Sequence, residues 1–506
     1  MAFKFRAVSA LDYYKSFLTW PIEKRNKELI SKPPEFWDQL GAVKAFETFK
    51  EAYRTVPAYK DFLKKQNIVV DDINMDDFAS VPVVSKSNYL TAHSLKDLSW
   101  GGNFRNQHVI SVSSGSTGEP FFWPRDRLLE QEVDTAYELL LKYGFEVNRH
   151  SSLLVVGYSM GMYVAGPFTF ASCLRVAENG YPLTIVTPGI DLRETIRVIS
   201  RLAPQFDQII LAGYPPFIKD ILDAGDRAGI PWKQYRVRFI FGAESFTEKW
   251  RDHMLTRVRT EDELGSSSNT YGSADSAILG METPLSIFVR RQTENNRELR
   301  KILFGGERVP ALFQYNPLFK YFEKLEDNSL VFTSSAGLPL VRYSIGDTGG
   351  VITYSDVIEQ LRRAGIKIPA NMLAKSHKLP FVYLYDRADF TVYLYGVNIY
   401  VDNIKDALDV AVMANHFTGK FVMTTTTRRN FDQALTIHLE MSPSIQSSLK
   451  LKRLAEKNIC ETLRERNSEY NRLFQAVGKK AMPRVKLHMN GEKKYFSVGT
   501  KQRWKS

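Results

Sequence analysis

Short apolar runs alternate with helical patterns through the middle of this 506-residue chain, and few folds accommodate such an arrangement. Two of the segments between the runs, 191–202 and 217–228, carry helical spacing. Strands that are joined by helices pair in parallel, because the chain must return to the same end of the sheet before the next strand. We therefore predict an α/β fold with mostly parallel sheets and flanking helices, its strands at 153–156, 183–186, 208–211 and 238–241.

The two ends of the chain differ from this middle part. Apolar residues between Phe36 and Phe49 have helical spacing, which predicts a mainly helical subdomain over residues 1–105. Beyond residue 386, closely spaced strand patterns precede a charged helical pattern at 447–467. We predict a large N-terminal domain over 1–385 and a small, mobile α+β domain over 386–506, with a hinge near 386–389.

A glycine- and hydroxyl-rich loop directly follows the short strand pattern at 108–112. Glycines leave backbone N–H groups free to converge on an anion, and the serine and threonine hydroxyls add further donors. A phosphate-binding loop and an ordinary polar turn both fit this composition, and the spacing excludes a Walker-type loop. The loop consists of Ser113, Ser114, Gly115, Ser116, Thr117 and Gly118.

Five further short motifs follow this loop along the chain and form an ordered set with it. In chain order they are Phe241-Gly242-Ala243-Glu244-Ser245, Tyr271-Gly272-Ser273-Ala274-Asp275, Arg342-Tyr343-Ser344-Ile345-Gly346-Asp347, Asp386-Arg387-Ala388-Asp389 and Tyr395-Gly396-Val397-Asn398-Ile399. With the loop, this set resembles the motifs of adenylate-forming (ANL superfamily) enzymes. The sequence that surrounds these motifs is similar to sequences of the phenylacetate–coenzyme A ligase and capsule-biosynthesis branch. The resemblance covers roughly residues 40–420.

The resemblance implies a role for each motif. The loop 113–118 would hold the ATP phosphates, with Thr117 among the catalytic groups, and Gly242, Ala243 and Glu244 would line the adenine site. Tyr271, beside Gly272, would stack on the purine. Asp275 would bind Mg2+ and Asp347 would accept from the ribose hydroxyls. Arg387 would contact the nucleotide, and Asp389 would be the hinge between the domains.

The resemblance also implies a catalytic lysine near the C-terminus, and Lys501 is the best match. The tail lacks the fuller Ser-Gly-Lys string of the family, so Lys494 and Lys505 remain alternatives. Asp275 is one methylene shorter than the usual glutamate, which a hard cation tolerates. Glu119 stands where the family often has a lysine.

A rival interpretation starts from the apolar run that ends in Gly157-Tyr158-Ser159-Met160-Gly161. This Gly-x-Ser-x-Gly pattern is typical of the nucleophile elbow of α/β-hydrolases, with Ser159 as the nucleophile. The elbow requires a helix immediately afterwards, and residues 162–167 are a poor helix start. In the ligase interpretation the same stretch shapes the acyl pocket. We predict that this pocket contains Tyr158, Tyr163, Phe168, Tyr214 and Ser245.

The amino-acid composition limits which binding partners and which cellular compartment we expect for this protein. The formal charge of +12 would attract anions such as ATP, but the basic clusters carry no nucleic-acid motif. The two cysteines form neither a disulfide framework nor a metal-ligand spacing, so we predict no zinc site and a reducing compartment. Because neither a signal peptide nor a membrane span is predicted, we expect a cytoplasmic protein. The sequence does not determine the oligomeric state, and a homodimer is one of the alternatives.

The predicted reaction has two steps. A carboxylic acid and ATP form an acyl-adenylate and pyrophosphate, and an acceptor then displaces AMP. Aromatic pocket residues favour an aromatic acid. Coenzyme A is the predicted acceptor, with an amine or a carrier-protein thiol as alternatives. The shortened acid and incomplete lysine tail also leave open a protein that binds nucleotide without turnover.

Overall fold

The computed structural model describes residues 9–113, 121–260, 262–306, 309–387, 391–408, 410–429, 431–442, 445–492 and 495–496. Helices dominate the first part of the described chain. Pro34 and Pro57 lie at the first turns of two of them, where the missing N–H costs nothing. These helices are α1 Ala10–Thr19, α2 Ile22–Ser31, α3 Pro34–Thr55 and α4 Pro57–Lys65.

A large sheet forms the centre of the molecule, and one half of it is parallel. The parallel half runs from β5 to β8 and is built by strand–helix alternation. The elements up to β8 are β1 Val84–Ser85, β2 Gln107–Val112, β3 Phe122–Asp126, α5 Arg127–Leu139, β4 Ser152–Gly157, α6 Ala165–Glu178, β5 Leu183–Val186, α7 Leu192–Leu202, β6 Gln208–Gly213, α8 Pro215–Arg227, β7 Arg236–Gly242, α9 Glu248–Thr256 and β8 Ser267–Ser273.

The other half of the sheet is antiparallel, apart from β1. Its strands follow one another through β-hairpins or through the helices that cover this side. The elements are β9 Ala277–Met281, α10 Pro284–Asn295, α11 Arg297–Phe304, β10 Ala311–Gln314, β11 Tyr321–Lys324, β12 Ser329–Ser334, β13 Leu340–Ile352, α12 Tyr354–Arg363, α13 Ala370–Lys375 and β14 Phe381–Arg387. The segment 356–378 therefore holds most of α12 and all of α13. The strand order across the whole sheet is β11-β12-β13-β14-β10-β9-β8-β7-β6-β4-β5, and β1 pairs with β13.

A smaller domain with its own apolar core follows β14. A hairpin and a second, mixed sheet pack against helices around Ile399, Phe421 and Ile459. Its elements are β15 Thr391–Leu394, β16 Val397–Tyr400, α14 Val401–Leu408, α15 Ala411–Ala414, β17 Phe417–Thr427, β18 Gln433–Met441, α16 Leu449–Arg466, α17 Ser468–Val477 and β19 Arg484–His488. The predicted α/β fold with a small α+β domain at the C-terminal end is confirmed.

Burial explains why the parallel strands carry almost continuous apolar runs. Every residue of β4 and β6 is buried, because helices cover both faces of that half of the sheet. No helix among the described residues has both the length and the apolar character that crossing a bilayer would require.

Candidate active site

A cavity of about 1030 Å³ lies where the large and small domains meet. The strands β4, β6, β7 and β8 all point their carboxyl ends at it, because neighbouring parallel strands end at the same edge of a sheet. The residues that follow these strands, or end them, line the cavity: Tyr158, Tyr214, Gly242, Ala243, Glu244, Ser245, Tyr271 and Gly272. Sequence segments more than 100 residues apart thus share one site.

A hydrogen bond joins the side chains of Tyr271 and Asp347 inside this cavity. The hydroxyl of Tyr271 donates to Oδ2 of Asp347 over 2.5 Å, and both side chains are buried. The Tyr271 ring packs against Phe313 and Phe322 on its other sides. Asp347 lies in β13, one residue after Gly346 (φ +85°), a backbone conformation that suits glycine.

Asp275, the predicted metal-binding acid, also lines the cavity. Its Oδ2 accepts a hydrogen bond from the hydroxyl of Tyr343 over 2.6 Å. A carboxylate oxygen held in this way is a suitable ligand for a hard cation such as Mg2+. The chemistry of the Asp275 carboxylate therefore fits the predicted ion.

A lysine that the motifs did not reveal stands beside the start of the predicted phosphate loop. Ser113 follows β2 and lines the cavity, and the Nζ of half-buried Lys86 donates to its Oγ over 3.3 Å. Lys86 comes directly after β1, which is placed by its parallel pairing with Tyr343 and Ser344 in β13. Lys86 therefore places a cationic side chain in the cavity, beside the start of the predicted loop.

Several predicted residues lie outside the described part of the chain. They are Ser114, Gly115, Ser116, Thr117 and Gly118 of the loop, Asp389 of the hinge, the lysines Lys494, Lys501 and Lys505, and the side chain of Arg387. The backbone of Arg387 lies in β14 and pairs with Asp347 in β13.

Aromatic side chains surround the end of the cavity between β4 and α6. The rings of Tyr158 and Tyr214 meet edge to face, with their centroids 5.2 Å apart. The buried hydroxyl of Tyr137 forms a hydrogen bond of 2.7 Å with Oγ1 of Thr169, and Phe168 lies beside them. Burial raises the pKa of Tyr214 to about 12, so its phenol stays neutral at physiological pH. This end of the cavity is flat-walled, with a few hydroxyl groups.

Glu244 stands at the boundary between the domains. Burial raises the pKa of its carboxyl to about 7. Ala243 before it has φ +69°, and the side-chain amide of Asn269 donates to the Glu244 carbonyl oxygen over 3.2 Å. The side-chain amide of Gln433, from the small domain, donates to Glu244 Oε1. Gln433 and Glu469 line the cavity, although the sequence motifs did not point to them.

Ser159 does not have the surroundings of a hydrolase nucleophile. It lies in the seven-residue loop between β4 and α6, whereas the elbow requires an immediate strand-to-helix turn. Within the described chain, neither this cavity nor the small pocket beside Ser159 is lined by a histidine. The rival interpretation lacks its general base there.

Comparisons with known proteins identify the fold. No family model matches the chain, and no curated protein matches it in sequence. Among solved structures, 2-hydroxyisobutyryl-CoA ligase in complex with 2-HIB-AMP and CoA in the thioesterification state has a TM-score of 0.63 at 14% identity, over 95% of this chain and 91% of that one. The same ligase in the postadenylation state with R3-HIB-AMP gives 0.54 at 14% identity, over the same 95% and 91%.

A third structure of that ligase, an open conformation with 2-HIB-AMP and CoA, gives a TM-score of 0.53 at 14% identity, over 89% of this chain and 93% of that one. The chain thus has the fold of adenylate-forming ligases.

Proposed function

We propose that this protein activates a carboxylic acid with ATP to an acyl-adenylate and then transfers the acyl group to coenzyme A. One observation carries the proposal: residues from four of the ordered motifs line a single cavity. They are Ser113, Glu244, Tyr271, Asp275 and Asp347. The fold shared with acid–CoA ligase structures supports it. We also assign the protein to the phenylacetate–coenzyme A ligase branch and to the cytoplasm.

In the first step a carboxylate oxygen bonds to the α-phosphorus of ATP as the bond from that phosphorus to pyrophosphate breaks. Two anions must approach each other, so fixed positive charge and hydrogen-bond donors lower the barrier. Lys86 and Ser113 offer a cation and a donor at that place. Asp275 would hold Mg2+, which supplies further charge neutralisation when bound.

The nucleoside would be held on the other side of the cavity. Tyr271 offers a ring for the purine and Asp347 an acceptor for the ribose hydroxyls, while the backbone of Gly242, Ala243 and Glu244 edges the same space. The hydrogen bond from Tyr271 fixes one oxygen of Asp347 and so orients the other oxygen. Arg387 would add a contact to the nucleotide.

The aromatic end of the cavity favours an aromatic acid. Tyr158, Phe168 and Tyr214 offer flat surfaces that suit stacking against a ring, and Tyr163 and Ser245 lie nearer the small domain. The neutral phenols add no charge that would repel the substrate near its carboxylate.

In the second step the sulfur of coenzyme A bonds to the acyl carbon, AMP leaves, and the thiol proton passes to solvent. We propose that Lys501 serves the first step, with Lys494 and Lys505 as alternatives, and that the small domain turns about Asp389 between steps. The Asp389→Pro variant should then slow the second step much more than the first. An amine or a carrier-protein thiol would replace coenzyme A by the same displacement.

The deciding experiment measures pyrophosphate release from ATP and Mg2+ with a panel of aromatic, heteroaromatic and aliphatic acids, first alone and then with coenzyme A. Release that depends on the acid, with thioester formed on adding coenzyme A, is the expected result. Nucleotide binding without release from any acid would instead favour a binding protein. The Ser159→Ala variant should keep ATP-dependent turnover, whereas a hydrolase would lose its activity.

A further inference from the structure

Three consecutive residues of the small domain each contact a different group of the large domain. The ring of Phe431 lies 4.5 Å from that of His253, and Oδ1 of Asp432 lies 3.4 Å from Nζ of Lys219. Gln433 donates to Glu244. We call Phe431, Asp432 and Gln433 the docking turn. It combines apolar, ionic and hydrogen-bonded contacts over one short stretch of chain.

Phe431 has an unusual backbone for so large a residue. Its φ is +63°, in the left-handed region, which costs a non-glycine residue about 1 kcal/mol. The turn is closed by hydrogen bonds of 2.8 Å from Phe431 N to Arg428 O and from Arg428 N to Asp432 O. The strained backbone directs the Phe431 ring out of the small domain and against the apolar core of the large domain. A contact outside the small domain offsets the strain.

The ionic contact is largely shielded from water. The side chains of Lys219 and Asp220, on α8 of the large domain, are only 4% and 3% exposed. Nζ of Lys480, from the small domain, lies 2.7 Å from Asp220 Oδ1 and 3.6 Å from Asp432 Oδ1. Lys219 and Asp220 therefore both have partners on the small domain, and separation of the domains would remove those partners.

Gln433 also links Glu244 to the loop that carries Gly396. Its Oε1 accepts from the backbone N–H of Tyr395 over 2.5 Å, while its Nε2 donates to Glu244. Gly396 and Asn398, which follow Tyr395 in the chain, both line the cavity. One amide thus holds a cavity-lining loop of the small domain in register with the large domain.

We propose that Phe431, Asp432 and Gln433 are positioning residues that dock the small domain onto the cavity, and that Gln433 aligns the turn at Tyr395 and Gly396 for acyl transfer. The part that concerns acyl transfer rests on the proposed function. The docking itself does not, because it follows from contacts between the domains.

Docking is measured on the protein alone through a second interdomain contact. The hydroxyl of Tyr163 lies 2.5 Å from Oγ of Ser468, and both native cysteines, Cys173 and Cys460, are buried. In a Tyr163→Cys/Ser468→Cys background, the rate of cross-linking by a short bis-maleimide reports the closed arrangement. Each single cysteine variant gives the background rate.

In this background, Phe431→Gly removes the ring and also relieves the backbone strain, so the small domain should fold at least as well. We expect cross-linking to slow about tenfold, because the closed arrangement loses a contact that the open one lacks. Asn328→Gly is the matched control, since exposed Asn328 has φ +64° in a turn of the large domain. Equal rates for Phe431→Gly and the control would overturn the proposal.

Two substitutions at position 433 distinguish a role of the hydrogen bond to Glu244 from a role of side-chain packing alone. Gln433→Leu should slow cross-linking at every pH. Gln433→Glu places a carboxyl beside Glu244, so the two can share a proton near pH 6 but repel each other as anions near pH 8.5. We expect this variant to cross-link at close to the parent rate at the lower pH and about tenfold more slowly at the higher pH. A pH response no different from that of Gln433→Leu would contradict the proposal.

The half-reactions distinguish a failure of docking from a failure of the proposed function. With an acid that supports pyrophosphate release, Phe431→Gly should keep the rate of that release and lose about tenfold in thioester formation. An equal loss in both steps overturns the role in acyl transfer. If no acid supports release, the proposed function fails, and the cross-linking rates still decide whether the turn docks the domains.

Discussion

The Nζ of Lys86 lies 3.3 Å from Oγ of Ser113, although these residues belong to separate elements of the large domain. The pairing of β1 with β13 places Lys86, and β2 delivers Ser113 at the start of the predicted phosphate loop. Lys86 also lies 5.7 Å from the centre of the Trp123 ring, which limits where its ammonium group can go. A cation is therefore held in place where the proposed reaction brings two anions together.

Replacement of Lys86 by alanine should lower the rate of acid-dependent pyrophosphate release by about a hundredfold, the usual effect of losing one fixed group that stabilises transition-state charge. Single-turnover release with saturating acid and ATP measures it. Lys96→Ala, at an exposed position in the same region, is the control and should leave the rate unchanged. A similar loss in both variants would contradict a role for Lys86 in the site.

Tyr271→Phe should weaken ATP binding while leaving the ring in place. The variant loses the 2.5 Å bond to Asp347 and leaves a buried carboxylate with one donor fewer. We expect the KM for ATP to rise several-fold and the free energy of unfolding to fall by about 1 kcal/mol. Titration of initial rates and denaturant unfolding give the two values. An unchanged KM would show that Asp347 does not need this bond to bind nucleotide.

The raised pKa of Glu244 predicts how stability depends on pH. The folded chain keeps this proton up to about pH 7, whereas an unperturbed glutamate loses it near 4.5. The folded state therefore binds more protons between these values, so this group's contribution to stability is complete below pH 4.5 and is lost as pH rises through 7. Glu244→Gln should remove that loss, which amounts to on the order of 3 kcal/mol.

Melting temperatures of the wild type and Glu244→Gln from pH 4.5 to 8.5 test this prediction. The difference between them should grow in favour of the variant up to about pH 7 and then level off. Glu326→Gln, at an exposed position, should follow the wild type throughout. A constant difference over the whole range would mean that Glu244 is ionised in the folded chain at low pH.

Much of the fold was accessible from sequence because local patterns encode it. The runs at 153–156 and 208–211 became β4 and β6, since strands buried on both faces need continuous apolar residues. The pattern did not show that the sheet continues through β9 to β14 as a largely antiparallel half. That extension depends on pairings such as β10 with β14, whose partners lie about 70 residues apart.

Residues that line the cavity were accessible from sequence where they belong to a short motif or to an aromatic segment such as the one around Phe168. Tyr271, Asp275 and Asp347 were identified in this way, and all three line the cavity. Lys86 and Gln433 were missed because their place in the site comes from tertiary contacts. Gln433 meets Glu244 across 189 residues of chain, and no local spacing records such a contact.

Gly396→Ala should block docking of the small domain without harming its fold. Gly396 has φ +79°, and a Cβ there would lie 2.7 Å from the Tyr214 ring of the large domain. Gly419→Ala is a close control: it lies in the same domain at φ +81°, and a Cβ there would meet nothing within 4 Å. Both variants carry the cost of about 1 kcal/mol for a side chain in this backbone region, but only the first obstructs the domain contact. Thioester formation should therefore fall at least tenfold in Gly396→Ala relative to Gly419→Ala, with similar pyrophosphate release in both. Equal thioester formation in the two variants would mean that acyl transfer takes place with the domains arranged differently from the structure described above.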